Sequence, residues 1–275
     1  MDIKQALRKM HFLRNIYYKI QLKQYLSKLP KEVLDKNADE LKKLKGKYTG
    51  KRCFIIGNGP SLTTNDLDKL KNEITFGSNR IFTIYGKTEW RPTFYANQDQ
   101  VVLEKMLDEL SDTISQSELG FISAHNYSLC AEKVKYLDNV LWLAKRFCSP
   151  KNNKYAFSDD VSKEVIEGLT ITYTCMQIAA YMGFSEIYLL GIDHNYPIEI
   201  DDDGNIIKND DSVKAYFGDA MVSMSDINLP KVVEMTRAYI SAEKHSRANG
   251  YRIYNATRGG KLEVFERVDF DKLFE

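Results

Sequence analysis

Four adjacent polar residues, Asp193, His194, Asn195 and Tyr196, follow a short apolar run at 186–190. Such a run is typical of a buried parallel strand, and open α/β sheets bind ligands at the carboxyl ends of their strands. The ordinary pKa of an imidazole is about 6.5, so His194 is suited to take a proton from a substrate hydroxyl near neutral pH. Asp193 is then placed to orient the ring or the substrate. The structural alternative is that His194 only ends the strand.

A second polar cluster is the glycine-rich turn after the apolar run 54–56. Its residues are Gly57, Asn58, Gly59, Pro60 and Ser61. Glycine lets the backbone approach a ligand closely, and free N–H groups in a first helical turn attract anions. Ser61 is suited to cap the helix that follows. The turn therefore predicts contact with a nucleotide phosphate or ribose, and an ordinary βα turn is the alternative.

The turn does not match two common nucleotide motifs. The dinucleotide fingerprint requires a third Gly or Ala where this chain has Leu62, and an acidic residue after the next strand, which here ends at Asn79. The P-loop requires a Gly-Lys-Ser/Thr sequence, which does not follow Gly59. The sequence thus favours neither a dinucleotide site nor a P-loop.

Further polar residues fall at the ends of other predicted elements. They are Asn79 after the strand 74–76, Asn97 and Gln98 after the strand 92–96, and Thr170 and Thr172 at the start of the helix 170–182. Parallel strands end at the same edge of a sheet. We therefore expect these residues to meet the glycine-rich turn and residues 193–196 on one rim.

Strands and helices alternate from residue 52 to residue 256. This alternation predicts an α/β fold with a Rossmann-like, mostly parallel sheet and flanking helices. The polar segments 149–161 and 208–229 contain aromatic residues and predict a small mobile lid. We expect one Rossmann-like domain over residues 49–275, preceded by a helical extension over residues 1–48.

The N-terminal extension is basic. Residues 1–52 hold 15 Lys and Arg and 5 Asp and Glu, a net charge of +10, so the rest of the chain carries −9 of the total of +1. Residues 1–29 have apolar residues at helical spacing with Lys and Arg between them, and such a helix can bind an anionic membrane surface through residues 1–30. The alternative is a helix packed on its own domain or on a second copy of the chain in a homo-oligomer.

Charge and composition exclude several other classes of protein. A net charge of +1 gives no general attraction to nucleic acid. No run of apolar residues is long enough to span a membrane, and no apolar segment of a secretory signal occurs near the N-terminus. The four widely spaced cysteines are typical of a reduced cytoplasmic protein. We expect a cytoplasmic protein, peripheral to the inner face of the membrane.

Three segments resemble known families: 55–62 with the strand end at Asn79, 183–193, and 253–265. The first two resemble the bacterial sialyltransferases that use CMP-sialic acid to build surface glycans. They also resemble a related family that contains flagellin-glycosylating motility accessory factors and an archaeal 6-hydroxymethylpterin diphosphokinase. The third segment resembles this second group, and the resemblance extends from about residue 50 to the C-terminus.

The resemblance to sialyltransferases implies an inverting, metal-independent transfer of a sialic-acid-like sugar to a glycan acceptor, with the CMP-sugar as donor and no cofactor. The substrate-binding residues it implies, with their neighbours on the rim, are Gly57, Asn58, Gly59, Pro60, Ser61, Asn79, Asn97, Gln98, Thr170, Thr172 and Tyr196. Asn58, Gly59 and Ser61 would hold the phosphate and ribose. Asn79 and Asn97 would lie along the donor, and Thr170 or Thr172 would touch the cytidine.

The catalytic base is the point where this chain departs from the sialyltransferases. They use a His in the mobile region after the Gly-Ile-Asp strand, but residues 208–229 contain none, and Tyr216 lies at the nearest matching position. His194 is then the best candidate base, with Asp193 and Tyr216 completing the predicted catalytic set. His125 is a weaker candidate.

Three functions remain open from the sequence. The first is a glycosyltransferase that uses a CMP-activated sugar. The second is a pyrophosphokinase acting on a pterin alcohol, whose chemistry needs ATP and Mg²⁺ and so favours a pair of carboxylates. The third is a non-catalytic nucleotide-binding protein, which the missing lid histidine favours.

Overall fold

The computed structural model describes residues 3–147, 155–201, 205–209 and 229–275, and its centre is an eight-stranded sheet. The strands of this sheet are β1 (Arg52–Ile56), β2 (Thr75–Ser78), β3 (Phe94–Asn97), β4 (Leu119–Ser123), β5 (Val140–Leu143), β8 (Glu186–Leu190), β11 (Arg252–Asn255) and β12 (Glu266–Arg267). Two small sheets pair β6 (Lys145–Arg146) with β7 (Val165–Ile166) and β9 (Ile198–Ile200) with β10 (Ile206–Lys208).

Helices flank the sheet on both faces. The α-helices in the described residues are α1 (Ile3–Leu26), α2 (Lys31–Lys43), α3 (Thr64–Lys69), α4 (Gln100–Glu104), α5 (Leu107–Ser115), α6 (Tyr127–Val134), α7 (Ile171–Tyr181) and α8 (Val232–Ala248). Short 3₁₀ helices cover Ile81–Lys87, Ala124–Asn126 and Asp271–Phe274. Within the described part of the chain, none of the helices has both the length and the apolar character to cross a bilayer.

The order of the strands creates a crevice beside β1. The order is β12-β11-β8-β1-β2-β3-β4-β5, and every neighbouring pair is parallel. From β1 the chain builds outward through β2 to β5, and it then returns to the other side of β1 with β8. The connections after β1 and β8 therefore diverge, and such a switch point is where open α/β sheets bind ligands.

Alternate residues of β1 enter two apolar layers. Cys53 and Ile55 belong to the cluster that contains residues of α7 and α8, and Phe54 and Ile56 belong to the cluster on the opposite face. All four side chains are at most 2% exposed. Burial on both faces is expected for a central parallel strand, because helices cover both sides of the sheet.

The predicted fold class is confirmed, with every pair in the main sheet parallel. The bounds of β8 match the predicted strand 186–190, whereas α6 and β12 were not predicted. Most of the predicted lid, including residues 149–154 and 210–228 with Tyr216, lies outside the described residues.

The N-terminal helices contact the domain. Leu22 of α1 is 8% exposed, and Leu41 of α2 joins the main core with Leu44. The side chain of Asn37 pairs with both backbone groups of Trp142, donating to the carbonyl at 2.9 Å and accepting from the N–H at 2.6 Å. Helix α2 therefore covers the free edge of β5. The domain boundary at residue 48 stays a prediction.

Gln177 fixes α7 against β7. Its fully buried amide oxygen accepts from the N–H groups of Ser158 at 3.0 Å and Ile166 at 2.9 Å, and its amide nitrogen donates to the carbonyl of Ile166 at 2.9 Å. These bonds hold the helix that begins next to Thr170. The placement of the first turn of α7 therefore depends on a polar contact inside the core.

We expect Gln177→Leu to lower the free energy of unfolding by about 2–5 kcal/mol. The substitution leaves buried backbone groups of Ser158 and Ile166 unpaired, and each such group costs about 1–3 kcal/mol. Urea denaturation followed by circular dichroism measures the change. Gln24→Leu, at an exposed position of α1, is the matched control and should change stability by less than about 0.5 kcal/mol. Equal stability of Gln177→Leu and wild type would contradict this role.

Candidate functional site

The crevice between β1 and β8 contains a cavity of about 120 Å³. Of the predicted site residues, the structure brings together Gly57, Asn58, Gly59, Asn79, Thr170, Thr172, Asp193, His194 and Tyr196 in its lining. Ser78, Ile171, Gly191, Ile192, Asn195 and Tyr239 complete the lining. The residues come from the ends of β1, β2 and β8 and from the first turn of α7, with Tyr239 contributed by α8.

Four predicted substrate-binding residues do not line this cavity: Pro60, Ser61, Asn97 and Gln98. Ser61 and Asn97 lie behind lining residues, because Ser61 bonds to Asp193 and Asn97 bonds to Asn79. Tyr216, assigned to the catalytic set, lies outside the described residues.

The glycine-rich turn packs against the loop after β8. The N–H of Gly57 donates to the carbonyl of Leu190 at 2.8 Å, and the N–H of Gly59 donates to the carbonyl of Gly191 at 2.9 Å. A Cβ atom at Gly59 would collide with the carboxylate of Asp193. Glycine is thus required at position 59 by the approach of two protein loops, and the N–H groups of Gly57 and Gly59 are used between these loops.

Ser61 does not cap the following helix, although the sequence predicted that it would. Its hydroxyl donates to Oδ2 of Asp193 at 2.7 Å. Helix α3 is capped instead by Thr63, whose Oγ1 accepts from the N–H of Asp66 at 3.2 Å while Asp66 accepts from the N–H of Thr63 at 3.1 Å. This capping box frees Ser61 to hold the carboxylate beside the cavity.

The cavity wall contains unpaired hydrogen-bond acceptors. Asn58 Oδ1, Asn195 Oδ1 and His194 Nδ1 are buried, and each lacks a hydrogen-bond partner in the described part of the chain. The amide of Asn58 has a defined orientation because its Nδ2 donates to the carbonyl of Ser78 at 3.1 Å, and a carbonyl only accepts. Three lining residues therefore each have a buried polar atom that the described part of the chain leaves unsatisfied.

Backbone strain is concentrated at the same place. Asn79, Leu169 and His194 have φ of +52°, +61° and +50°, and they are the non-glycine residues with positive φ among those that the structure describes. Two of them line the cavity, and Leu169 precedes Thr170 directly. A left-handed backbone at a non-glycine residue costs about 1–3 kcal/mol, and such residues cluster at functional sites.

His194 is 7% exposed and is held by a hydroxyl and two aromatic rings. Its Nε2 is 2.8 Å from Oγ1 of Thr236, and its ring centroid is 5.5 Å from that of Tyr239 and 6.2 Å from that of Tyr196. Burial lowers the pKa of His194 to about 4, because the charged form loses hydration. The imidazole is therefore neutral at physiological pH.

Asp193 is held from both sides. Its backbone carbonyl accepts from the N–H of Lys261 at 2.7 Å, and Gly260 packs directly on its backbone with φ of +71°. Burial raises the pKa of the Asp193 carboxyl, while the hydrogen bonds from Ser61 oppose this shift. The loop at 258–261 thus packs against the backbone of Asp193.

Gln98 belongs to a buried polar network next to the cavity, which explains why it does not line the cavity. Its Oε1 accepts from the hydroxyl of Thr174 at 2.6 Å, and its Nε2 lies 3.4 Å from Oε1 of Glu167. Glu167 forms an ion pair of 2.7 Å with Lys145, and both side chains are 9% exposed. The amide of Gln98 is therefore occupied within the protein. Neither Lys145 nor Glu167 was predicted, since Lys145 lies in a two-residue strand and Glu167 follows another, and neither strand has a clear pattern.

Two residues of α8 were also missed. Thr236 contacts His194, and the hydroxyl of Tyr239 bonds with Thr170 and Thr172. Their spacing of three places them on one helical face, and this is the only signal that the sequence offered. His125, the weaker candidate base, lies away from the cavity and stacks on Tyr25 with ring centroids 3.9 Å apart.

A family model described as 6-hydroxymethylpterin diphosphokinase MptE-like matches residues 23–199. No curated protein sequence matches the chain. Among solved structures, the MAf glycosyltransferase from Magnetospirillum magneticum AMB-1 is similar at 13% identity with a TM-score of 0.49, over 87% of this chain and 38% of that one. The sialyltransferase CstII from Campylobacter jejuni, solved with CMP-3FNeuAc, is similar at 15% identity with a TM-score of 0.48, over 79% of this chain and 86% of that one.

These structural likenesses have TM-scores below 0.5 and do not define a function for the chain. The chain spans 38% of the length of the MAf glycosyltransferase. The family match covers more than half of the chain and includes β1, β8 and the lining of the cavity up to Tyr196.

We expect the free energy of unfolding to fall as the pH drops from about 6.5 towards 4. Burial holds the pKa of His194 at about 4, below its value in the unfolded chain, so protons bind preferentially to the unfolded state in this range. The loss from His194 is on the order of 3 kcal/mol. Burial, with Lys145 and Lys28 nearby, also lowers the pKa of His125 to about 4.

Urea denaturation at pH 7.5 and 4.5 measures this dependence, and carboxylates provide a background common to all variants. His194→Gln and His125→Gln should each reduce the difference between the two pH values. An undiminished difference in His194→Gln would show that this ring titrates normally in the folded protein.

Proposed function

This chain belongs to the MptE-like family, and we propose that it acts as a glycosyltransferase at the cavity between β1 and β8. The donor is a sialic-acid-like sugar activated by CMP, and the acceptor is a hydroxyl of a surface glycan. The transfer is inverting and independent of metal. The motif resemblance of residues 55–62 and 183–193 suggested these assignments, and the chemistry of the cavity supports them.

The observation that carries the proposal is the set of unpaired acceptors in the wall: Asn58 Oδ1, Asn195 Oδ1 and His194 Nδ1. A buried acceptor without a partner costs about 1–3 kcal/mol. Ribose and sugar hydroxyls and the amine of cytosine are donors, whereas an ionised phosphate only accepts. A hydroxyl-rich ligand therefore fits this wall better than a phosphate does.

The phosphate of the donor is better placed beside the hydroxyl-bearing residues of the lining. These are Thr170, Thr172 and Tyr196, whose hydroxyls can donate to phosphate oxygens. The cavity of about 120 Å³ is smaller than typical ligand sites of roughly 300–1,000 Å³. The described walls therefore enclose one part of the ligand, and the rest extends along the crevice.

His194 is the proposed general base, with Asp193 beside it. Burial lowers the pKa of His194 to about 4, which makes it a weak base. A CMP-sugar donor is anionic, and an opposite charge nearby favours the protonated ring. Donor binding then raises the pKa of His194 towards the range where a base is effective.

The description of the matched family favours a second candidate, the transfer of diphosphate from ATP to a pterin alcohol. This chemistry uses Mg²⁺, which is held by one or two carboxylates together with substrate phosphates. Asp193 is the carboxylate in the cavity lining, but Ser61 occupies its Oδ2 and burial raises its pKa. The residues present therefore fit Mg²⁺ poorly.

A thermal-shift screen separates the candidates. We expect CMP and CMP-sialic acid to raise the melting temperature, because ligand at 100 times its Kd stabilises the folded state by about 2.7 kcal/mol. UDP and GDP should shift it less. A shift only with ATP, Mg²⁺ and 6-hydroxymethylpterin would instead support the diphosphokinase.

Release of CMP from CMP-sialic acid in the presence of acceptor glycans tests transfer. His194→Ala should bind CMP normally and lose at least about 100-fold in turnover, the usual contribution of a general base. His125→Ala is the matched control and should keep its turnover. A protein that binds CMP but transfers no sugar from any CMP donor would support the non-catalytic alternative.

Helix α1 presents a second surface, which we call the outer face of α1. It consists of Leu13, Ile16, Tyr17 and Ile20, which are 53%, 39%, 56% and 50% exposed. Their spacing places them on one side of the helix, opposite Leu22 and Tyr25, which pack on the domain. Over residues 3–26 the helix has six Lys and Arg and no acidic residue.

An exposed apolar stripe with flanking basic residues is suited to lie in the interface of an anionic membrane. We infer that the outer face of α1 holds the protein on the cytoplasmic side of the membrane, where a lipid-linked glycan acceptor would be presented. A second copy of the chain is the alternative partner of this surface.

We expect the wild type to bind vesicles that contain phosphatidylglycerol but not vesicles of phosphatidylcholine alone. Binding should weaken with salt, because the screening length is about 8 Å at 0.15 M. Leu13→Ser combined with Ile20→Ser should abolish sedimentation with the vesicles. Tyr136→Ser is the control, since Tyr136 is 85% exposed but lies outside this face. If the double variant instead converts an oligomer to a monomer in light scattering, the partner is a second copy.

A further inference from the structure

The hydroxyl of Thr236 defines which nitrogen of His194 carries the proton. Oγ1 of Thr236 lies 2.8 Å from Nε2 of His194 and 2.9 Å from the carbonyl oxygen of Val232, one helical turn earlier. A hydroxyl has one proton, and a carbonyl oxygen can only accept. The hydroxyl therefore donates to Val232, and its oxygen accepts from His194. The N–H of the neutral ring is then on Nε2.

The opposite nitrogen of the ring is left with a lone pair. Nδ1 of His194 is buried and has no hydrogen-bond partner among the described residues, and the ring lines the cavity. The ring is packed between Tyr196 and Tyr239, and its backbone is left-handed. An exchange of Nδ1 and Nε2 by rotation of the ring would break the bond to Thr236 within this packing.

We propose that Thr236 is a positioning residue that locks His194 in the Nε2–H tautomer and so leaves Nδ1 as the nitrogen of the ring that can accept a proton. The use of this lone pair rests on the proposed function, whereas the tautomer itself rests only on the geometry. In the transfer step the acceptor O–H bond breaks and its proton passes to Nδ1. The acceptor oxygen bonds to the anomeric carbon, and the bond from that carbon to the phosphate oxygen breaks with its electrons leaving on CMP.

The surroundings of the ring are compatible with this role. The titratable groups that face it in the described residues are Asp193 in its own loop, Tyr196 after it and Tyr239 on α8. Thr236 is neutral and keeps its acceptor role when the ring becomes doubly protonated, because Nε2 is a donor in both states. The contact to Thr236 therefore need not break during proton transfer.

Long-range ¹H–¹⁵N NMR of the imidazole rings tests the tautomer without any assay of activity. His194→Gln identifies the signals of His194 among the four histidines. We expect wild-type His194 to show a single neutral Nε2–H tautomer at pH 7. Thr236→Val, which keeps the shape and removes the hydroxyl, should give a mixture of tautomers, and Thr236→Ser should restore the wild-type pattern.

Thr113→Val is the matched control, because the hydroxyl of Thr113 donates to the carbonyl of Glu109 on α5 at 2.7 Å in the same helical arrangement. It should leave the signals of His194 unchanged. A wild-type ring protonated on Nδ1, or a Thr236→Val spectrum identical to that of wild type, would overturn the proposal. The wild-type spectrum shows which nitrogen of His194 carries the proton even if Thr236→Val fails to fold.

Kinetics then separate this inference from the proposed function. Thr236→Val should lower the turnover of CMP-sialic acid by about tenfold with an unchanged KM, which is less than the loss of about 100-fold expected for removal of the ring. Thr236→Ser should recover most of that turnover. Normal turnover in His194→Ala would show that His194 is not the general base of the proposed function. The spectra would still show whether Thr236 fixes the tautomer of His194.

Discussion

The close contact between the loop after β1 and the loop after β8 is the constraint on which the candidate site depends. Gly57 and Gly59 donate their N–H groups to the chain at Leu190 and Gly191, and no room remains at Gly59 for a side chain beside Asp193. In nucleotide-binding turns such as the P-loop, glycine makes room for a phosphate. Here it makes room for a second loop, which carries His194 into the crevice.

This contact determines which hydrogen-bond donors and acceptors remain unpaired around the cavity. Backbone N–H groups that could have bound an anion are used between the loops, and Ser61 donates to Asp193. The unpaired atoms that remain in the wall are acceptors on Asn58, His194 and Asn195. The lining also contains Thr170 and Thr172 at the start of α7, whose side chains carry hydroxyls.

The sequence predicted the parts of the fold that depend on local patterns. β1 and β8 were predictable because fully buried parallel strands are uniformly apolar, and the meeting of their carboxyl ends follows from parallel topology. The packing of the glycine-rich turn against the loop after β8 was not predictable, because the bond from Ser61 to Asp193 joins residues 132 positions apart. Thr236 was missed for the same reason, since an amphipathic pattern on α8 does not identify what its inward face contacts.

The buried imidazole and the strained backbone around it lie together in the lining of the cavity. Positive φ at Asn79 and His194 and an unpaired Nδ1 each carry a cost that the surrounding core must offset. Under the proposed function, the hydroxyls of the donor pair with Asn58 and Asn195, and Nδ1 of His194 pairs with the acceptor hydroxyl. The anionic charge of the donor also favours protonation of a ring that burial keeps neutral. Since the base gains strength only when the donor is bound, such a site would activate an acceptor hydroxyl only after the donor has been bound.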